Sequence, residues 1–288
     1  MLRHTEEADS RQVLHKLTRV LIADDSSLAR DVMKNGIRSQ YDIRYLEITI
    51  AKDGKEAFKT LMSKEIDLAF MDINMPGMGA KELISALQGT PSKNCMVVAV
   101  SSNLDDKSEK VLTKYQAYHF MQKPFRAQEI ADVYLTYLAI TRTYSVLIVD
   151  DSATMRKLAR KVFEKSRFSF DIRDAGSAEE AIHKMRQEPP QIVITDFNMP
   201  NIDGLELAGA IRSASEKIAI YMMSTNNTSY LERSAAFVGV TGFLGKPFFP
   251  ADVESIMHNL LGLDTPKFGK TRNMFSFLDR NLPTLTKT

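Results

Sequence analysis

Cysteine is nearly missing from this chain. Cys95 stands alone, which excludes an intrachain disulfide framework and fits a reducing compartment. It lies in CMVVAVSS, where a buried thiol behaves as a small hydrophobe. Long apolar runs are missing too, none approaching the roughly 20 residues needed to cross a bilayer. The opening stretch MLRHTEEADSRQ carries acidic residues where a signal peptide has its apolar core, so a cytoplasmic protein is expected. An excess of one charge is also lacking: the net charge of +2 gives no reason to expect nucleic acid as a partner. The five histidines are scattered without an HxxxH pair, which argues against an imidazole metal site and against a histidine phosphotransfer module. No GxGxxG or GxxxxGK[ST] loop is present to cradle a nucleotide. The fifteen methionines read as adaptable core filler.

What is present is a repeat. A chain of 288 residues exceeds the usual single domain. VLIADDSSLARD at Val20 returns as VLIVDDSATMRK at Val146, placing Asp24 and Asp150 126 positions apart. MDINMP returns as TDFNMP, with Asp72 and Asp196 offset by 124. Ser101 and Ser224, and then Lys123 and Lys246, are each offset by 123. Four features in one order with a small drift mark a duplicated domain of about 120 residues.

Within each copy, apolar runs of four to seven residues alternate with longer amphipathic segments. VLIVDD, FDIRDA, IVITD, IAIYMMS and GFLGK serve as strands in the second copy. In SATMRKLARKVF, Met155, Leu158, Ala159 and Val162 recur at helical spacing. Strand and helix in alternation mean a parallel sheet with right-handed crossovers and helices on both faces. The predicted fold class is therefore α/β: two doubly wound five-stranded domains in tandem, strand order 2-1-3-4-5, as in flavodoxin. AQEIADVYLTYLAITRT runs almost directly into YSVLIVDD, with no Gly/Ser/Pro-rich linker between the copies.

The conspicuous polar groups end the strands: DD on the first, Asp on the third, Ser on the fourth, Lys on the fifth. In open α/β sheets the crevice beyond the carboxyl ends of the strands is the ligand site. Three carboxylates gathered there raise one another's pKa unless a cation compensates. An oxygen-only donor set suits Mg²⁺, which often binds beside a phosphate. A carboxylate can also attack phosphorus to give an aspartyl phosphate, with positioning and charge neutralisation supplying most of the catalysis. Each element has a plainer reading: DDS as a helix N-cap, DxNMP as an Asx turn, KPF as a solvated lysine before a bend.

Taken together in order, these residues resemble the receiver domain of bacterial two-component response regulators. The resemblance covers Arg19 to Arg142 and Tyr144 to Gly262, leaving 1–18 as a leading segment and 263–288 as a tail. It implies that a histidine kinase or histidine phosphotransfer protein passes its phosphoryl group to Asp72 and/or Asp196. By the same resemblance Asp24, Asp25 and Asp72, with the carbonyl of Asn74, hold Mg²⁺. Asp150, Asp151, Asp196 and Asn198 do so in the second copy. Ser101, Ser224, Lys123 and Lys246 would bond the phosphoryl oxygens, with Pro124 or Pro247 in a cis peptide after each lysine. Phe120 and Phe243 fall at the aromatic switch position, where the ring turns inward on phosphorylation and changes the face of the fourth and fifth helices. In copy one, Tyr134 and Tyr137 are expected on that face.

Two places depart from the family pattern. Copy one has MGAKEL where copy two has IDGLEL, so a requirement for positive φ at Gly204 would shift the turn by one residue in copy one. Thr225 follows the second serine and could narrow access to the acceptor. The expected output is a phosphorylation-dependent contact with an unidentified downstream protein, without a DNA-binding module, an enzymatic domain or a membrane partner. A phosphate sink or relay intermediate is the alternative. A haloacid-dehalogenase-type phosphatase is more remote, because that family places its nucleophile in a DxD on the first strand. The tail, with Phe268, Phe275 and Phe277, is expected to be flexible or packed on a receiver face.

Overall fold

A computed structural model describes residues 17–39, 43–225, 229–264, 266 and 268. The chain forms two compact units that meet in sequence at Tyr137 and Leu138, with Pro266–Phe268 belonging to the first. In the first unit, strands β1 (Thr18–Ala23), β2 (Leu46–Ala51), β3 (Leu68–Asp72), β4 (Met96–Ser101) and β5 (His119–Gln122) alternate with five helices. These are α1 (Ser27–Arg38), α2 (Gly54–Ser63), α3 (Ala80–Ala86), α4 (Asp106–Lys114) and α5 (Ala127–Thr141). The second unit repeats the pattern with β6 (Thr143–Val149), β7 (Ser169–Ala175), β8 (Ile192–Asp196), β9 (Ala219–Ser224) and β10 (Gly242–Gly245). Its helices are α6 (Ala153–Glu164), α7 (Ala178–Gln187), α8 (Gly204–Ala214), α9 (Ser229–Phe237) and α10 (Pro250–Leu261).

Both sheets are parallel, in the orders β2-β1-β3-β4-β5 and β7-β6-β8-β9-β10. The order read from the sequence is the order found. The reason lies in burial. β3 is buried along its length, and β1 nearly so, because crossover helices cover both faces of a parallel sheet. Such strands read as continuous apolar runs. Val20 pairs with Leu68 and Ala23 with Met71, so Asp24 leaves β1 beside Asp72 at the end of β3. In the second unit Val149 pairs with Thr195, which brings Asp150 beside Asp196 in the same way.

Tyr134 and Tyr137 correct an expectation. Both are buried and stack on each other at 6.2 Å, so neither is displayed on a surface of α5. Desolvation and the nearby Asp67 carboxylate push the Tyr137 phenol well above its usual range, which keeps it a neutral core ring. Cys95 is half-buried against the first core, and burial likewise pushes its thiol up. Phe268 packs against that same core cluster. The leading segment before Leu17, and the tail apart from Leu263, Asp264, Pro266 and Phe268, lie outside the described residues. Among the described residues no helix is long and apolar enough to cross a membrane.

The two units solve one connection differently. After α3, Ser92 and Thr90 are buried. Ser92 Oγ accepts from Ile66 N (2.9 Å) and donates to Lys64 O (2.8 Å). After α8 a different group acts: the Arg212 guanidinium donates to the carbonyls of Ser215 (3.2 Å), Glu216 (2.7 Å), Ile218 (2.9 Å) and Gly239 (2.8 Å). Gly239, at φ +79°, lets the arginine pass, since a Cβ there would sit 2.8 Å from its Nε.

Candidate functional site

The acidic cups form where β1 and β3, and β6 and β8, end. One carboxylate oxygen from each of Asp24, Asp25 and Asp72 lies within 4.8 Å of the others, and Asp150, Asp151 and Asp196 do the same. Local sequence sets each side chain. Ser26 caps α1, its Oγ accepting from Ala29 N at 3.3 Å, while Asp24 Oδ1 accepts from Ser26 N at 2.9 Å. Ser152 repeats this with Met155 N at 3.4 Å and Asp150 Oδ1 at 2.9 Å. The helix-cap reading of DDS holds in both units, and it leaves the aspartates free to gather with the third-strand carboxylate. Asp72 Oδ1 accepts from Asn74 N at 2.9 Å, an Asx turn that fixes the carboxylate.

A single lysine enters each cup from the end of the fifth strand. Lys123 Nζ donates to Asp72 Oδ2 at 2.6 Å and lies 2.7 Å from Asp24 Oδ2. Lys246 Nζ is 2.9 Å from Asp150 Oδ2 and 3.0 Å from Asp196 Oδ1. Desolvation pulls both ammonium groups down, but their two aspartate partners outweigh it and the net shift is upward. Both lysines stay charged. The peptides Lys123–Pro124 and Lys246–Pro247 are cis, as expected. Lys123 N donates to Ser101 O and Lys246 N to Ser224 O, both at 2.8 Å, which ties each lysine to the strand carrying the serine.

Asp24 is fully buried, and desolvation raises its pKa against the pull of Lys123 and the Ser26 amide. Its Oδ2 has the ammonium nearby but no aligned hydrogen-bond donor. A buried carboxylate oxygen in that condition suits a coordinated cation. Three carboxylates against one ammonium leave about two negative charges uncompensated. An all-oxygen set with that deficit fits a hard divalent ion such as Mg²⁺. The residues present therefore fit the ion that the sequence implied.

The remaining expected residues fall as follows. Asn74 and Asn198 are exposed two positions beyond the third-strand aspartates. Asn74 also donates from Nδ2 to Ser101 Oγ at 3.2 Å. Ser101 and Ser224 are buried at the ends of β4 and β9. Thr225 is exposed. Phe120 and Phe243, at the expected switch position, lie inward in this structure and belong to the cores at 9% and 1% exposure.

The turn after the third strand is also corrected. Positive φ occurs at Gly77 (86°) and Asn201 (68°), which are equivalent positions, so the turn does not shift. Gly204 is needed for space instead: a Cβ would lie 2.3 Å from Asp196 O. Copy one moves that close approach by one residue, with a Cβ on Gly79 lying 2.2 Å from Ile73 O.

Sequence reasoning missed two arginines. Arg30 Nη1 donates to Asp24 O (2.7 Å) and Asp25 O (2.9 Å). Arg156 Nη1 donates to Asp150 O (2.8 Å) and Asp151 O (3.2 Å). The signal was available: each is the sixth residue after the first aspartate of its pair.

Each unit thus carries the same doubly wound sheet, acidic crevice, strand-end serine and lysine. The profile of the response regulator receiver domain matches residues 20–134 and 146–258, and the chain belongs to that family. Transcriptional activator protein ExaE of Pseudomonas putida is 32% identical over 116 residues, 40% of this chain and 54% of its own length. The chain thus spans about half of that relative. Chemotaxis protein CheY1 of Helicobacter pylori is 32% identical over 120 residues, 41% of this chain and 96% of its own. A solved protein described as a "probable two-component system response regulator/GGDEF domain protein" aligns with a TM-score of 0.57 and 26% identity. That alignment covers 84% of this chain and 98% of the other.

Proposed function

We propose that this chain is a response regulator that accepts phosphoryl groups on Asp72 and Asp196 from a histidine kinase or histidine phosphotransfer protein. On this reading it signals through phosphorylation-dependent protein contacts. The observation that supports it best is the convergence, in both units, of a first-strand acidic pair, a third-strand aspartate and a bridging lysine. The receivers are taken to run from 19 to 142 and from 144 to 262.

The chemistry follows from the charges. A carboxylate oxygen of Asp72 attacks the phosphorus of a phosphohistidine, the P–O bond forms as the P–N bond breaks, and the imidazole leaves with the electron pair. Bound Mg²⁺, held by Asp24, Asp25, Asp72 and the Asn74 carbonyl, would neutralise charge on the phosphoryl oxygens. Lys123 exchanges its contact with Asp72 for a phosphoryl oxygen and keeps its charge throughout. Ser101 leaves Asn74 to donate its hydroxyl proton to another oxygen, drawn by a new charge of about −1.5 to −2. Asp196, Lys246 and Ser224 act alike. Movement of the serine toward the phosphoryl group would bias Phe120 and Phe243 toward the inward position that they hold in this structure.

The adjacent aspartates after the first strand, and the further one on the third, favour this reading over a dehalogenase-type phosphatase. Any catalysis is self-directed: acceptance of the phosphoryl group and its hydrolysis. The test is Mg²⁺-dependent labelling with a small phosphodonor in wild type, Asp72→Asn, Asp196→Asn and the double variant. Each single variant should keep one site's label and the double variant none. Label persisting on the double variant would end the proposal.

A further inference from the structure

We propose that Arg30 and Arg156 are positioning residues for the two acidic cups, fixing the backbone from which the metal-facing aspartates project. The proposal rests on the receiver reading above. Each arginine lies in the first turns of its helix, and its own N–H closes that turn on the N-cap carbonyl, Arg30 N on Ser26 O and Arg156 N on Ser152 O. Its side chain folds back past the cap and takes both carbonyls of the acidic pair on one nitrogen. Those carbonyls follow the last strand residue and precede the helix, so no backbone ladder holds them. With its amide bonded to Ala51 O and its carbonyl bonded to Arg30, Asp24 is held on both sides of its Cα. Asp150 is held likewise by Ala175 O and Arg156.

The copies then diverge around this shared feature. Arg156 Nε also donates to Asp174 Oδ2 at 3.1 Å, and Arg160 takes the other oxygen at 2.9 Å. Asp174 is the register partner of Ile148. The matching partner of Ile22 in the first unit is Ile50, which offers no acceptor. The carbonyl contacts persist where the carboxylate does not, which separates the positioning contact from the surface ion pair.

The sign of one measurement decides the role. Removing a nearby positive charge would by Coulomb's law alone tighten cation binding. Releasing the backbone beneath two ligands would weaken it. The experiment titrates the full chain with Mn²⁺, without phosphodonor, and follows the resonance of the free ion. An Asp151→Asn background leaves only the first cup, and an Asp25→Asn background only the second. Arg30→Gln in the first background, and Arg156→Gln in the second, should weaken Mn²⁺ binding about tenfold, as loss of outer-shell support does. Arg30→Lys keeps the charge but replaces the rigid guanidinium plane with a shorter, flexible ammonium that holds the two carbonyls less firmly, and should fall between wild type and glutamine. Asp174→Asn should weaken the second cup less than Arg156→Gln does. Melting temperature without metal is followed alongside, and the lysine variant carries the test if the glutamine variant does not fold. Unchanged or tighter binding in Arg30→Gln, or a lysine variant equal to wild type, overturns the proposal and leaves the receiver reading intact. A wild-type chain that takes up no Mn²⁺ removes the metal reading and this proposal together.

Discussion

At the scale of single residues, the lysine is the most exposed to test because it holds two carboxylates at once. Asp24 is buried, Lys123 is the cation beside it, and the ammonium touches Asp72 as well. Lys123→Ala would leave two neighbouring carboxylates without a counter-charge, one of them fully buried. Breaking a buried pair is strongly unfavourable, though Asp24, already raised in pKa, can take a proton and blunt the effect. We expect a loss of about 2 kcal/mol in urea unfolding near neutral pH, with part of it recovered when Mg²⁺ supplies the missing charge. An unchanged midpoint in metal-free buffer would contradict this account of the cup. The residues of the cup were legible in the sequence because each is a charged or hydroxyl group at the end of an apolar run. Arg30 and Arg156 were overlooked because their partners are main-chain carbonyls, which leave no trace in residue type.

Secondary-structure elements show the same division. The inner strands were readable from unbroken apolar runs, since a sheet covered on both sides asks for nothing else. The connection after the third helix of each unit was not readable, because the two units tie it to different neighbouring segments with unrelated chemistries. One unit buries a serine and a threonine, and the other spreads one guanidinium over four carbonyls. Arg212→Ala should therefore destabilise the second unit by about 2 kcal/mol, given the usual cost of leaving acceptors unmet. Limited proteolysis near Gly239 provides a local readout beside global unfolding. A variant with wild-type stability would mean that water replaces the guanidinium without loss. The buried tyrosines were misjudged for a related reason: family position suggested a surface, whereas an aromatic ring between sheet and helix goes where apolar area is removed from water.

Whole-molecule stability should carry a pH signature from the second unit. His258 is buried, its Nδ1 lies 2.6 Å from Glu254 O, and its ring meets Phe168 edge-on at 5.3 Å. Burial holds its pKa below the ordinary imidazole value of 6.5. The unfolded chain therefore binds the proton first. Stability from this group is present above about pH 6.5 and is lost as pH falls toward the folded value. Glu254, packed beside Arg167, runs the other way. Burial raises its pKa above 4.5, so its contribution is full below that value and declines as pH rises through the folded one. Urea midpoints between pH 5 and 7.5 should rise less steeply in His258→Gln than in wild type. Identical slopes would show that the imidazole is not buried as described.

The duplication has a practical consequence for every measurement proposed. Two homologous compartments share one polypeptide, one concentration and one tube, so the yield at Asp72 divided by the yield at Asp196 is insensitive to donor purity, handling and dilution. Any intervention confined to one half, whether a point substitution or a competing ligand, moves that quotient, while a disturbance of the solution common to both leaves it nearly still.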